Sequence, residues 1–489
     1  MRSNARSVQS ATKWSLITEF VVKFISPLTN MVLARLLTPN EFGVVATVTM
    51  IVSLTDIFTD AGFQKYIIQH QFKDEKDADE SICVAFWSNL AMSLLLWGGI
   101  FLFSNKIATI VGNPGKGNVI FIGAAILPLT SFSSIQLAVF KKNLDFKSIA
   151  GARILVKLIP LVVVAPLAYI GFSYWALIIG DILSELVNAV FLTIKSDWKP
   201  RLYYNISKLK EMLSFCIWSM GESFSSWLVS NIGIFIIGTL FTEYYLGVYK
   251  TATTTVNQII SIITASTISV LLAGLSREQS HKEEYKKIYM NFLKGIGIFT
   301  IPLGVGLLMF DDVVCRILLG NQWGDATLII GLWGLVLAES VIFNGMSGAV
   351  ILSLGKPKEL FISNIVQAIL MVPAFYYGGK LGFKQMIIIT SIVRVQLPAF
   401  QTFMACRLSK ISFGEIFVVI RKYCIASIMM GVFAIFAKKY CYNMFMSILF
   451  ICVCAVVYFV TLYCIPDGRI EIRNYLLYFK SKLKGDKYE

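Results

Sequence analysis

Fourteen apolar runs, each long enough to cross a bilayer as a helix, follow one another between residues 14 and 465. They cover 14–37, 42–67, 82–103, 118–140, 149–170, 174–194, 212–240, 246–275, 290–310, 326–354, 359–377, 383–405, 417–437 and 444–465. About 20 apolar residues suffice to span the hydrocarbon layer. Inside that layer every backbone N–H and C=O must be satisfied by the chain itself, which leaves a helix bundle or a closed barrel. The runs have helical period and no strand-length alternation, which argues against a barrel. Composition agrees: 56% of the residues are hydrophobic and 15% charged, with mean hydropathy +0.70, where globular chains carry about 25% charge. An all-α polytopic membrane protein is expected.

The turns between runs alternate in character. Odd-numbered ones are short, such as TPNE and GFS, and even-numbered ones are charged, such as HQFKDEKDADE and KSDWKPRLYYNISKLKE. Of the 44 lysines and arginines, 33 fall on the side of the N-terminus and nine on the other; Lys23 and Arg394 lie mid-span. Basic residues stay on the cytoplasmic side, so both termini are expected there. The net charge of +15 is then mostly this bias plus attraction to anionic lipid, with no case for nucleic acid. The basic N-terminus has no cleavage site after a short apolar core, and the first run reads as a retained helix. The tail from Asp467 reads as a basic amphipathic helix on the inner leaflet. The nine cysteines include no CxxC pair; most lie within apolar runs (Cys83, Cys216, Cys424, Cys452, Cys454, Cys464) and read as small buried hydrophobes.

One turn occurs twice. LARLLTPNEFGVVATV at 33–48 and IGTLFTEYYLGVYKTA at 237–252 share Leu36/Leu240, Thr38/Thr242, Gly43/Gly247, Val44/Val248 and Thr47/Thr251 at a constant offset of 204. The first joins runs 1 and 2, the second runs 7 and 8. Two six-helix lobes of like topology are expected, 1–204 and 205–410, followed by runs 13 and 14 and the tail at 411–489. Parallel repeats of this kind are a transporter architecture with the substrate site at their interface. Thr38 with Glu41 three residues on fits a capping box, and Gly43 and Gly247 would allow close packing.

Polar stripes run through the repeated helices. Run 1 carries Thr12, Ser15, Glu19, Lys23, Ser26 and Asn30 at helical spacing; run 2 carries Thr49, Ser53, Asp56, Asp60 and Gln64. Run 7 offers Ser219, Glu222, Ser226 and Ser230, and run 8 offers Asn257, Ser261 and Thr264. An ionised group facing lipid at the midplane costs at least about 2.5–3.5 kcal/mol. The stripes therefore face either a water-accessible central cavity or neighbouring helices, with Glu19 and Lys23 neutralising each other. Arg394 in run 12, Arg153 and Lys157 in run 5, and Lys250 in run 8 are further intramembrane cations. Each is an anion ligand, a partner for a nearby acid, or a side chain snorkelling to the interface. Asp181, Glu185 and Glu339 either serve proton coupling or neutralise those cations.

The motifs LARLLTPNEFGVVA with DIFTDAGFQKYIIQ, FKKNLDFKSIA at 140–150, GFSYWAL at 171–177, WKPRL at 198–202, LLGNQWGDA at 318–326 and LSLGKPK at 352–358 stand in order at helix ends. In these the chain resembles, end to end, the polysaccharide flippase (Wzx-like) branch of the multidrug/oligosaccharidyl-lipid/polysaccharide (MOP) exporter superfamily. The resemblance implies two six-helix lobes working by alternating access in the bacterial inner membrane. It implies a substrate too: an oligosaccharide repeat unit on a polyprenyl diphosphate, turned from the cytoplasmic to the periplasmic leaflet. For that task Lys23, Arg394, Arg153, Lys157 and Lys250 are the candidate diphosphate ligands. Ser26, Asn30, Ser53, Ser226 and Asn257 are the candidate sugar partners, and Glu19, Asp56, Asp60 and Glu222 the candidate coupling acids for H+ or Na+. The prenyl tail would stay in lipid beside runs 13 and 14. Polysaccharide polymerase or assembly proteins are the expected partners of a monomeric transporter.

The alternatives are a drug or cation antiporter or a lipid II flippase of the same superfamily, and, from another class, a membrane polymerase or acyltransferase. An antiporter predicts an acidic, aromatic cavity with few cations. An enzyme needs a sizeable outer loop or a positioned acid–base pair, but no outer loop here exceeds about sixteen residues and His70 and His281 lie in polar cytoplasmic loops. No GxSxG, HExxH or Walker pattern occurs. The chain reads as a non-enzyme without metal or other cofactor.

Overall fold

The computed structural model describes residues 2–59, 62–264 and 267–473, apart from the side chains of 2–13, 15–17, 20, 218 and 222. Within them all regular structure is helical. The helices are α1 (Arg2–Leu36), α2 (Pro39–Thr59), α3 (Phe63–Gln69), α4 (Glu75–Ile110), α5 (Gly117–Gly123), α6 (Ile126–Lys142), α7 (Phe146–Ile159), α8 (Ala165–Tyr169), α9 (Tyr174–Lys195), α10 (Ile206–Leu240) and α11 (Glu243–Thr264). There follow α12 (Thr267–Arg277), α13 (Lys282–Met309), α14 (Asp311–Leu318), α15 (Thr327–Ser340), α16 (Met346–Ser353), α17 (Pro357–Leu381), α18 (Phe383–Arg394), α19 (Gln396–Ser409), α20 (Phe413–Lys438) and α21 (Met444–Cys464).

Each of the fourteen apolar runs is mainly helical over its described residues. Among the described residues twelve helices have the length and apolarity to span a membrane, and α11 with α12, bent by 45°, makes a thirteenth. The remaining run lies in α1, which is helical to Leu36. Short π-helical turns, Pro160–Val164 between α7 and α8 and Val341–Gly345 between α15 and α16, interrupt two of the spans. A third interruption has a visible cause: Pro398 has no N–H to donate to the carbonyl of Arg394, and the helix breaks at Val395 between α18 and α19.

The chain clusters into two compact units. One comprises residues 1–258, 318–323 and 368–389; the other comprises 259–317, 324–367 and 390–489. In the first, α7 packs on α1 and α9, α6 on α9 and α4, and α10 on α2. In the second, α13 packs on α15 and α20, α20 on α21, and α12 and α19 on α16.

At the end of the first unit where α1 stops, four stretches meet. Thr38 precedes α2 and Pro39 occupies its first turn. Glu41 accepts the backbone N–H of Thr38 at 2.6 Å, as a capping box requires. The other half differs from expectation: the Thr38 hydroxyl donates to the Glu41 carboxylate at 3.0 Å. Glu41→Ala removes both bonds and is expected to cost about 1 kcal/mol, the usual worth of a cap, read as a lowered midpoint in thermal unfolding.

The nine cysteines are free thiols. Cys83, Cys216 and Cys454 are buried as expected, Cys424 is half-buried, and Cys452 and Cys464 are exposed on α21. An apolar run that faces lipid on one side carries small hydrophobes there too, so run membership alone did not place them. Residues 466–473 continue as helix after α21, while 474–489, most of the expected amphipathic tail, lie outside the described residues.

Candidate functional site

In the first unit the polar stripe of α1 lies along α7. Glu19 of α1 is paired with Arg153 of α7 at 3.3 Å, both side chains about half exposed (47% and 50%). This differs from the expected neutralisation of Glu19 by Lys23 on its own helix. One turn further along, Lys23 is half-buried on α1 and Lys157 is exposed on α7. Lys157 also lies within electrostatic range of Asp181 of α9. Among the described residues the seam carries the cations Lys23, Arg153 and Lys157, with the carboxylates Glu19 and Asp181. Glu185, one turn from Asp181, is engaged otherwise: it accepts from the hydroxyl of Ser133 and from Asn188 Nδ2 at 3.1 Å.

Further along α1, Asn30 Nδ2 donates to Thr255 Oγ1 of α11 at 2.8 Å, tying the first helix of one repeat to the second helix of the other. Lys250 of α11 is partly buried, and among the described residues no acceptor lies within hydrogen-bonding distance of its amine. Asn257, two turns on, is exposed and turns its amide back to the Thr253 carbonyl at 2.8 Å. Ser226 of α10 is exposed and Ser26 of α1 half-buried.

Ser53 has a different fate. It accepts from Trp227 Nε1 of α10 at 2.9 Å while donating to the Met50 carbonyl at 2.9 Å, so α2 and α10 are joined through it. Ser53→Ala is expected to lower thermal stability by about 1 kcal/mol, the net worth of one such bond, and to leave transport within about twofold. Asp56 is half-buried on α2. Asp60 and the side chain of Glu222, the remaining candidate acids, lie outside the described residues, as do the side chains of Thr12 and Ser15.

In the second unit Arg394 ends α18 at the proline-induced break, and its guanidinium lies over the ring of Trp333 of α15, 4.0 Å from the centroid. Stacking on an indole face stabilises a cation by about 0.5–2 kcal/mol. Trp333 was invisible to sequence reasoning because it sits in an otherwise unbroken apolar run, where a core tryptophan looks the same. Thr255 was passed over for a similar reason: it lies off the Asn257 stripe, and only the crossing of α1 and α11 gives it a role. An apolar cavity of about 280 Å³ opens between α13, α20 and α21, lined among others by Phe299, Pro302, Met430, Ile451 and Phe459.

The family model for polysaccharide biosynthesis proteins matches residues 32–328, more than half of the chain. The chain is 23% identical to the succinoglycan biosynthesis transport protein ExoT of Rhizobium meliloti, over 77% of this chain and 75% of that one. It is 21% identical to the lipopolysaccharide biosynthesis protein WzxC of Escherichia coli, over 76% of this chain and 75% of that one. Among solved structures it is similar to the lipid II flippase MurJ in an inward closed conformation, with a TM-score of 0.77 at 14% identity, covering 95% of this chain and all of that one. An inward-facing multidrug resistance MATE family transporter of the MOP superfamily superposes with a TM-score of 0.58 at 15% identity, over 82% of this chain and 94% of that one. At these identities the two structures speak for a common fold, the two-lobed helical bundle of that superfamily.

Proposed function

The chain belongs to the polysaccharide biosynthesis protein family, and from that premise we propose that it flips a polyprenyl-diphosphate-linked oligosaccharide repeat unit across the bacterial inner membrane. Transport proceeds by alternating access, from the cytoplasmic to the outer leaflet, with both termini in the cytoplasm as the 33-to-9 distribution of basic residues favours. The two lobes are 1–204 and 205–410, with the last helix pair appended.

The observation that carries this reading is the α1/α7 seam. A diphosphate cannot cross hydrocarbon without cations in a polar groove, and Lys23, Arg153 and Lys157 offer them on two neighbouring helices. Lys250, with no acceptor of its own among the described residues, and Arg394, seated over the Trp333 ring, are the further anion ligands. Ser26, Asn30, Ser226 and Asn257 offer hydroxyls and amides to the sugar. The apolar cavity beside α20 and α21 suits a prenyl chain. Glu19 and Asp56 are the acids placed to exchange H+ or Na+ during the cycle. A cationic seam is the reverse of what a drug or cation antiporter needs. The protein works as a monomer beside the polymerase that consumes its product.

Cells lacking the protein, with synthesis intact, are expected to accumulate undecaprenyl-linked repeat units accessible only from the cytoplasmic face. Normal surface polysaccharide together with lost resistance to cationic drugs would identify an antiporter instead.

A further inference from the structure

The two copies of the repeated turn touch each other, and they do so through equivalent residues. A methyl group on Gly43 would lie 1.9 Å from the carbonyl oxygen of Glu243, and one on Gly247 would lie 1.8 Å from the carbonyl oxygen of Pro39. Adding the offset of 204 turns Pro39 into position 243 and Gly43 into position 247. Each contact is therefore the image of the other, an isologous pair inside one chain. Both distances are far below van der Waals contact, so no side chain of any kind fits at either position while the turns are packed.

The surroundings extend this contact into a plate. Asn113 Nδ2 donates to Thr47 Oγ1 at 2.5 Å. Gly112, at φ +82°, lies so close to the Gly238 carbonyl that a methyl group there would overlap it at 1.5 Å. Carbonyls in the last turn of α1 and just beyond it, left without helical donors, are taken by a segment distant in sequence. Gln322 Nε2 donates to Ala34 and Leu37 at 2.7 and 2.8 Å, and Trp323 Nε1 donates to Ala34 at 2.7 Å. The fully buried Trp323 ring meets Phe42 edge-on at 5.4 Å.

We propose that Gly43 and Gly247 form a reciprocal lock that holds the outer face shut, with Gln322 and Trp323 as its clip. Because the two contacts are images of one another they open together, which makes the closure two-state, as packed interfaces are. The smallest side chain at either glycine biases the protein towards the open outer face. The inference rests on the transporter reading for what the lock controls, but its test needs no substrate.

The full-length protein carrying Ser26→Cys, on the α1 stripe below the plate, is labelled in sealed right-side-out vesicles with a membrane-impermeant maleimide. Labelling is read at that peptide by mass spectrometry, so the native thiols do not interfere. Adding Gly43→Ala or Gly247→Ala is expected to raise labelling at least about fivefold, and the double variant should add little, since one contact is already lost. Gly99→Ala, where a methyl group meets nothing within 4 Å, should leave labelling at its starting level. Trp323→Phe keeps the ring but removes its bond to Ala34, and should raise labelling about twofold. It decides the matter if the glycine variants fail to fold. Unchanged labelling in the folded glycine variants, or in Trp323→Phe where those do not fold, overturns the lock. A protein that shows the rise yet flips no lipid-linked oligosaccharide keeps the lock and loses the substrate assignment.

Discussion

Lys23→Glu is expected to abolish surface polysaccharide while the protein stays in the membrane at its normal level. The α1/α7 seam holds Lys23, Arg153 and Lys157 against Glu19 and Asp181. Replacing this cation by a carboxylate shifts the charge of the seam by two units towards negative. A diphosphate entering that groove then meets repulsion where it met attraction. Truncating one member of a close charge pair costs about 2–5 kcal/mol, and the half-exposed seam belongs at the lower end. Lys23→Ala should therefore lose roughly 30-fold in substrate affinity, about 2 kcal/mol, and Lys23→Glu more. Lys23→Arg should restore most of the activity, because charge and reach are kept. Immunoblots of surface polysaccharide against membrane protein level check all three. Full activity in Lys23→Glu would remove the seam from the substrate path. Arg394 behaves differently: Arg394→Lys keeps the charge but loses the guanidinium contact with the Trp333 ring, so part of its deficit should appear as lowered stability.

The largest loss of stability is expected from Glu471→Ala. Glu471 follows α21 and is paired with Lys422 of α20, the two side chains only 10% and 9% exposed. The Tyr423 hydroxyl donates to the same carboxylate, at 2.7 and 2.8 Å to its two oxygens. Removing the acid leaves the Lys422 ammonium buried without a counter-charge, which costs about 3–5 kcal/mol. It also takes the carboxylate acceptor from the hydroxyl of the fully buried Tyr423. Lys422→Met with Glu471→Leu removes both charges and should recover most of the loss, because an apolar pair of similar size carries no desolvation penalty. Thermal unfolding of the purified protein in detergent measures the cycle. A small effect of Glu471→Ala would mean that water reaches the pair.

The helices were legible because apolar length is a local property. All fourteen runs are mainly helix over their described residues. The turn at 33–48 and its copy at 237–252 were legible as a repeat, but their reciprocal packing was not, because a glycine spacing does not say which backbone will approach it. Charge partners were the least legible. Glu19 and Lys23 are one turn apart in sequence, yet Glu19 bonds Arg153, 134 residues away. Ser53 belongs to a stripe that pattern alone leaves to a cavity or a neighbouring helix, and Trp227 takes it for packing. Helical spacing fixes the face of a side chain; which helix covers that face is decided by tertiary packing.

The most direct measurement is translocation in proteoliposomes holding the purified protein and a polyprenyl-diphosphate oligosaccharide in both leaflets. Sugar exposed outside is oxidised by membrane-impermeant periodate, and the protected inner fraction is followed with time. With the protein present the protected fraction should fall towards zero, and with Lys23→Glu it should stay near one half. Protection that persists at one half with the unaltered protein, under either a proton or a sodium gradient, would contradict the assignment as a lipid-linked oligosaccharide flippase.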